Sequence, residues 1–196
     1  LFICSHNPAV VEKAHFTNTR IVIPPKAGWT PYRDYIGSYL ETMPIDTGHR
    51  TVVHEVADSM QAPNWTPDGK TLIYNRNGRL YRFDLATRTV AELDTGFAIR
   101  NNNDHVLSFD GTRLGISHHA ADDSNRSNVY TLPLAGGVPV RVTKLGPSYL
   151  HGFSPDGRFL IYTGQRNNEL DIYRIPVEGG EEVRLTTATG VDDGPE

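Results

Sequence analysis

Two histidines, His105 and His151, stand at matching places of a repeating sequence, each among polar neighbours. Two positions ahead of them lie Asn103 and Tyr149, and Asn101, Asn102 and Asp104 crowd the first. Gln61 and Pro63 occupy the same two places in an earlier copy, and Asp193 and Pro195 in a later one, with Asp192 and Glu196 beside them. Imidazoles with carboxylates and amides from adjacent copies form a donor set for a divalent cation. His105 and His151 are therefore candidate metal ligands, with Asn103, Asp104 and Asp193 at their side, and manganese, calcium or zinc is the candidate ion. The same groups suit a small polar ligand, or the hydrogen bonding of a water-filled rim. One cysteine, Cys4, disfavours a thiolate zinc site and allows no internal disulfide.

Other chemistry-bearing residues have structural readings. His118-His119 has no further ligand near it in sequence and reads as a loop-edge pair. Asp122-Asp123-Ser124-Asn125-Arg126 lacks the glycine and closing glutamate of a calcium loop and reads as a hairpin tip. Tyr81, Tyr130 and Tyr173 recur at one repeat position and read as packing residues. Gly-x-Ser-x-Gly, phosphate-loop, dinucleotide and His-Glu-x-x-His motifs are absent, so no catalytic residue is assigned.

The elements that must position these residues come from the repeat. Trp65-Thr66-Pro67-Asp68-Gly69-Lys70-Thr71-Leu72-Ile73-Tyr74 recurs as Leu107–Ile116 and again as Phe153–Tyr162. Asp68 and Asp110 are 42 residues apart, and Asp110 and Asp156 are 46 apart. A period of about 40–45 suits a four-stranded propeller blade. Each copy continues with a second apolar strand (Leu80–Leu85, Val129–Leu134, Ile172–Val177) and then, past a turn, a last one (Val90–Leu93, Val140–Thr143, Val183–Thr186). A partial earlier copy covers Leu40–Gly48 and Arg50–His54. In Ser/Thr-Pro-Asp-Gly, proline presets φ, aspartate bonds nearby backbone and glycine takes the last place. Those aspartates are accordingly read as turn residues. The middle copy has Phe109 in place of proline, which the turn tolerates.

These residues resemble the TolB-like, WD40-like (PD40) repeats over about residues 38 to 196. The resemblance implies an all-β fold: a partial β-propeller of four-stranded antiparallel blades, about three and a half to four of a six- to eight-bladed ring. Innermost strands line the channel of such a ring, which would bring the phase-matched histidines to one mouth. The implied function is a binding module for protein, peptide or a small polar ligand at that mouth, in the periplasm by resemblance to TolB or in the cytoplasm. Oligogalacturonate lyases use similar repeats and a histidine-rich metal site, so a metal-dependent polysaccharide lyase is an alternative. The propeller half of a prolyl-oligopeptidase-like peptidase is another.

The unit boundaries expected are 1–37 as a lead-in or remnant of a preceding blade, 38–61 as half a blade, 62–103, 104–150 and 151–193 as blades, and 194–196 as the start of another. The 196 residues carry a net charge of −4, which argues against nucleic acid as partner. No apolar run approaches the ~18 residues of a membrane span, and no signal peptide is visible. The chain begins at Leu1 and holds fewer units than the roughly four to eight of a closed propeller. The expectation is a piece of a longer chain with further blades beyond its C-terminus, or closure as a homodimer.

Overall fold

In the computed structural model, residues 27–30 and 34–195 are described. Most of the lead-in expected over 1–37, and Glu196, lie outside them. Residues 1–34 and 35–196 are two compact units. In the first, the Asp34 carboxylate accepts from the Thr30 N–H at 2.8 Å.

The second unit is built of strands. β1 (Ser38–Thr42) and β2 (Thr51–Val56) form an antiparallel ribbon. β3 (Gln61–Trp65), β4 (Thr71–Arg76), β5 (Arg79–Asp84) and β6 (Val90–Leu93) form the first complete blade. β7 (Asn101–Leu107), β8 (Arg113–Ala120), β9 (Arg126–Pro133) and β10 (Val140–Arg141) form the middle one. β11 (Ser148–Phe153), β12 (Phe159–Arg166), β13 (Glu169–Pro176) and β14 (Val183–Arg184) form the last. Each blade is a four-stranded antiparallel meander in chain order. The inner strands begin at Gln61, Asn101 and Ser148, ahead of the unit starts expected at 62, 104 and 151.

No blade has a core of its own; the apolar contacts lie between blades. Neighbours along a strand point to opposite faces, and on β4 both faces are covered. Leu72 and Tyr74 join Leu40 and Phe83 against the ribbon. Ile73, one residue away, packs with Leu80, Leu114, Ile116, Tyr130 and Leu132 in the gap to the middle blade. Val129 and Val142, on the middle blade's other face, meet Leu150, Phe153, Leu160, Tyr162 and Tyr173 of the last. Tyr74, Leu114, Ile116, Leu160 and Tyr162 are fully buried. The stack is cohesive because the first and middle blades each supply half of two cores.

The turns after the inner strands repeat to within tenths of an ångström. Thr66, Ser108 and Ser154 each donate a hydroxyl hydrogen bond to the aspartate two residues on, at 2.6 Å in all three. Backbone N–H groups of Lys70, Thr112 and Arg158 close the same carboxylates at 3.1, 3.0 and 3.1 Å. Gly69, Gly111 and Gly157 take φ of 69°, 66° and 70°, the left-handed region that glycine enters without strain. Phe109, in place of proline, leaves this geometry unchanged.

The Ser154 hydroxyl, then the Arg158 N–H and guanidinium, hold the Asp156 carboxyl down to about 2. An unfolded aspartate titrates near about 3.9. The folded value is the lower one, so ionised Asp156 favours the fold above the unfolded value. That contribution is lost as pH falls through the folded value. Asp156→Asn is expected to flatten the decline in melting temperature between about pH 4 and pH 2, read by circular dichroism. An unchanged acid slope would show that the turn carboxylate is uncoupled from folding.

Candidate functional site

The inner strands are irregular where the polar residues sit. On β7 the register steps from Asn101 opposite His118 to His105 opposite Ile116, so the segment 102–104 bulges out of the ladder. On β11 it steps from Leu150 opposite Tyr162 to Gly152 opposite Ile161, which leaves His151 as the bulged residue. On β3 the break falls between Gln61 and Asn64, with Ala62 at φ 49°. An extra residue re-aims every side chain on its far side.

His105 and His151 are thereby separated. His105 lies opposite Ile116, and the residue at that ladder place on the last blade is Leu150. His105 is buried in the gap towards the first blade, its Nε2 3.3 Å from the Ile73 carbonyl and its Nδ1 3.2 Å from the Asn103 carbonyl. Burial lowers its pKa, against the pull of both carbonyls. Both ring nitrogens face backbone acceptors, so the ring bridges two blades.

His151, Asp104 and Asp193 do come together. His151 Nε2 stands 3.5 Å from an Asp193 carboxylate oxygen. The same oxygen accepts from the Thr163 hydroxyl at 2.8 Å and from the Gly194 N–H at 2.8 Å. These contacts hold Asp193 below the usual carboxylate range, the Thr163 bond contributing most. Asp104 is pushed the other way: desolvation raises its pKa, and His151 and the Asn102 amide oppose that. Asn102 Nδ2 donates to one Asp104 oxygen at 2.7 Å, and the exposed Asn103 Nδ2 to the other at 3.0 Å. The result is a small acidic cluster on two bulged inner strands and the segment after β14.

Among the described residues, no three His, Cys, Asp or Glu side chains are grouped to hold an ion. The hydrogen bonds to Asp104 and Asp193 also come from amide, hydroxyl and N–H donors that a cation would have to displace.

Sequence reasoning missed the residues that set the inner strands in place. Asn75, Ser117 and Thr163 occupy one repeat position on β4, β8 and β12, and all are buried. Asn75 Nδ2 donates to the carbonyls of Asn101 and Asn102, at 3.1 and 2.7 Å. Ser117 Oγ accepts from the Leu150 N–H at 2.8 Å. Thr163 binds Asp193. Each is a clamp from one blade onto the next segment of chain inward. The signal was present: single polar residues in Leu72–Asn75, Leu114–Ser117 and Leu160–Thr163 at the blade period. His118-His119 divides as well. His118 is buried and accepts the Arg100 N–H at Nδ1, while His119 Nδ1 lies 3.0 Å from the Asn125 carbonyl. The tip at 122–126 is tied down, Asp123 pairing with Arg126, Arg141 and Asn128.

Stacked four-stranded meanders, with polar inner strands and apolar gaps between them, define a β-propeller segment. Residues 34–196 match the TolB beta propeller domain (PD40), and the chain belongs to that family. It is 44% identical over 160 residues to the uncharacterized protein Atu1656 of Agrobacterium fabrum, a match covering 81% of this chain and 54% of that one. An Agrobacterium tumefaciens structure assigned as TolB superposes with a TM-score of 0.74 at 44% identity, over 79% of this chain and 56% of the other. TolB from Acinetobacter baumannii gives 0.67 at 24% identity, over 79% and 39%. The chain thus spans about half the length of the relatives it matches. Among the described residues, no helix is long and apolar enough to cross a membrane.

The two histidines are expected to respond oppositely to removal. His105→Ala deletes a buried ring and its carbonyl contacts and should cost about 2–4 kcal/mol in urea unfolding. His151→Ala, at a bulge on the rim, should stay within about 1 kcal/mol. Equal losses would contradict the division of roles.

Proposed function

We propose that this chain is a binding module whose inner mouth receives a polar ligand or a peptide segment presenting cationic N–H donors. The observation that carries this reading is the cluster of Asp104, His151 and Asp193. Two carboxylates there lie close enough for their charges to interact, and one is held in a desolvated place. A lysine, arginine or amine group would supply the positive charge that Asp104 lacks. Its hydrogen bonds to both carboxylates would be charge-assisted and so stronger than neutral ones. Bulges support the same reading, since they commonly re-aim side chains at functional edges. The net charge of −4 favours approach of cationic partners. The lyase alternative draws no support from the placement of His105, whose ring nitrogens face the Ile73 and Asn103 carbonyls.

The reading is tested by titrating isotope-labelled protein with trilysine and, in parallel, with triglutamate at low salt. Trilysine is expected to shift the amide resonances of residues 102–105 and 149–152 saturably. Asp104→Asn combined with Asp193→Asn should weaken it at least about threefold, and about 0.5 M salt should weaken it further. Triglutamate shifting the same residues equally, or a double variant that binds trilysine like the parent, would overturn the proposal.

A further inference from the structure

A recess lies away from the inner mouth, between the β6–β7 connection and the middle blade, beside the β8–β9 tip. It has a volume of about 640 Å³ and is walled by Phe97, Ile99, Arg100, His118, Tyr130 and Arg141. That is within the range of roughly 300–1,000 Å³ typical of small-molecule sites.

Its origin is visible when the blades are compared in register. Tyr74 faces Tyr81 on the first blade and Tyr162 faces Tyr173 on the last, and both pairs stack, with ring centroids 5.7 and 5.8 Å apart. On the middle blade the corresponding pair is Ile116 and Tyr130. Four residues further along the strand, the last blade has Arg166. Its guanidinium lies 5.2 Å from the Tyr173 ring centroid and pairs with Glu182 at 2.6 Å, filling the gap. The middle blade has Ala120 at that place. A tyrosine and an arginine are thus replaced by smaller side chains at one end of one gap. His118 takes up part of the space, edge-on to Tyr130 and to Phe97 at centroid distances of 5.7 and 6.0 Å.

The recess is also built to persist. The connection that carries Phe97, Ile99 and Arg100 is closed on itself by the Thr95 hydroxyl donating to the Ala98 carbonyl at 2.7 Å. Asn101 fastens it to the β4–β5 hairpin, its side chain donating to the carbonyls of Ala98 and Gly78 at 2.6 and 3.0 Å. Phe97 and Ile99 nevertheless keep 55% and 44% of their surface exposed, so this fixed loop presents apolar side chains to solvent.

The polar groups select the ligand's charge. Asp122 also lines the recess, but it and Asp123 are matched by Arg141. Arg100 donates only to the neutral amide oxygen of Asn125, at 2.7 Å, and among the described residues it meets no carboxylate within ion-pair range. His118 Nδ1 accepts the Arg100 backbone N–H, so the hydrogen of the neutral ring is on Nε2, for which no described residue serves as acceptor. One unmatched cation and one unused N–H donor thus adjoin an aromatic wall. We infer that this recess binds a small aromatic monocarboxylate, its ring against Phe97 and Tyr130 and its carboxylate towards Arg100 and His118 Nε2. Guanidinium and imidazole N–H donors to a carboxylate are the stronger, charge-assisted kind of hydrogen bond. An aromatic body is favoured by the edge-to-face geometry already present between these rings.

Phenylacetate and its neutral isostere phenylacetamide are the probes, titrated into labelled protein by two-dimensional NMR. Phenylacetate is expected to shift resonances of residues 97–100 and 118–120 saturably and to bind at least about tenfold more tightly than the amide. Arg100→Gln, at an exposed side chain, should remove most of that tenfold preference while leaving amide binding unchanged. Phe97→Ser should weaken both probes. Asp104→Asn should alter neither, which separates this site from the inner mouth. Equal affinity for acid and amide, shifts scattered outside the recess, or an Arg100→Gln protein that still prefers the acid would each overturn the inference.

Discussion

The whole stack depends on one buried polar position per blade. Asn75, Ser117 and Thr163 sit inside otherwise apolar strands, where an unpaired polar group is costly. Each finds its partner on the inward segment that follows: the Asn101 and Asn102 carbonyls, the Leu150 N–H and the Asp193 carboxylate. Hydrophobic contact alone would let one sheet slide over the next. A hydrogen bond at a fixed height along the strand sets the blade's register against its neighbour and places the inner bulges that carry Asp104 and His151.

The repeat made the architecture readable. Its period, its Ser/Thr-Pro-Asp-Gly turn and its alternating strands belong to local chain chemistry. Even the replacement of proline by Phe109 was readable, because proline only biases a turn that the aspartate and glycine already specify. The inner mouth was readable only in part. Counting residues from the turn puts His105 and His151 at the same place, yet the bulges on β7 and β11 fall at different points. The same count therefore leads one ring into a gap between blades and the other to the rim. Bulges leave little trace in a single sequence. Asp104, His151 and Asp193 come together because several polar residues are gathered around each histidine, so a slip of one residue still leaves a carboxylate beside the ring.

The cluster and the recess arise from different departures from the repeat. At the inner mouth the departure is one of backbone, extra residues thrown out of a ladder. Between the β6–β7 connection and the middle blade it is one of volume, Ile116 and Ala120 standing where the last blade has Tyr162 and Arg166. A repeated fold can vary in both ways because each gap has its own core, and a change in one leaves the others intact. Tyr162 shows the filled alternative: its hydroxyl donates to Glu182 at 2.5 Å, and burial with that carboxylate pushes its ionisation far up.

The clamps also have a direction. In every case the clamping side chain comes earlier in the chain than the segment it holds, so each sheet, once formed, offers a ready socket to whatever is synthesised next. A nascent polypeptide leaving the ribosome can therefore zip into place from its N-terminal side, adding one sheet at a time. Until that segment arrives, Asn75 or Ser117 stays hydrated at an open face, and the clamp closes only as the gap between sheets loses its water.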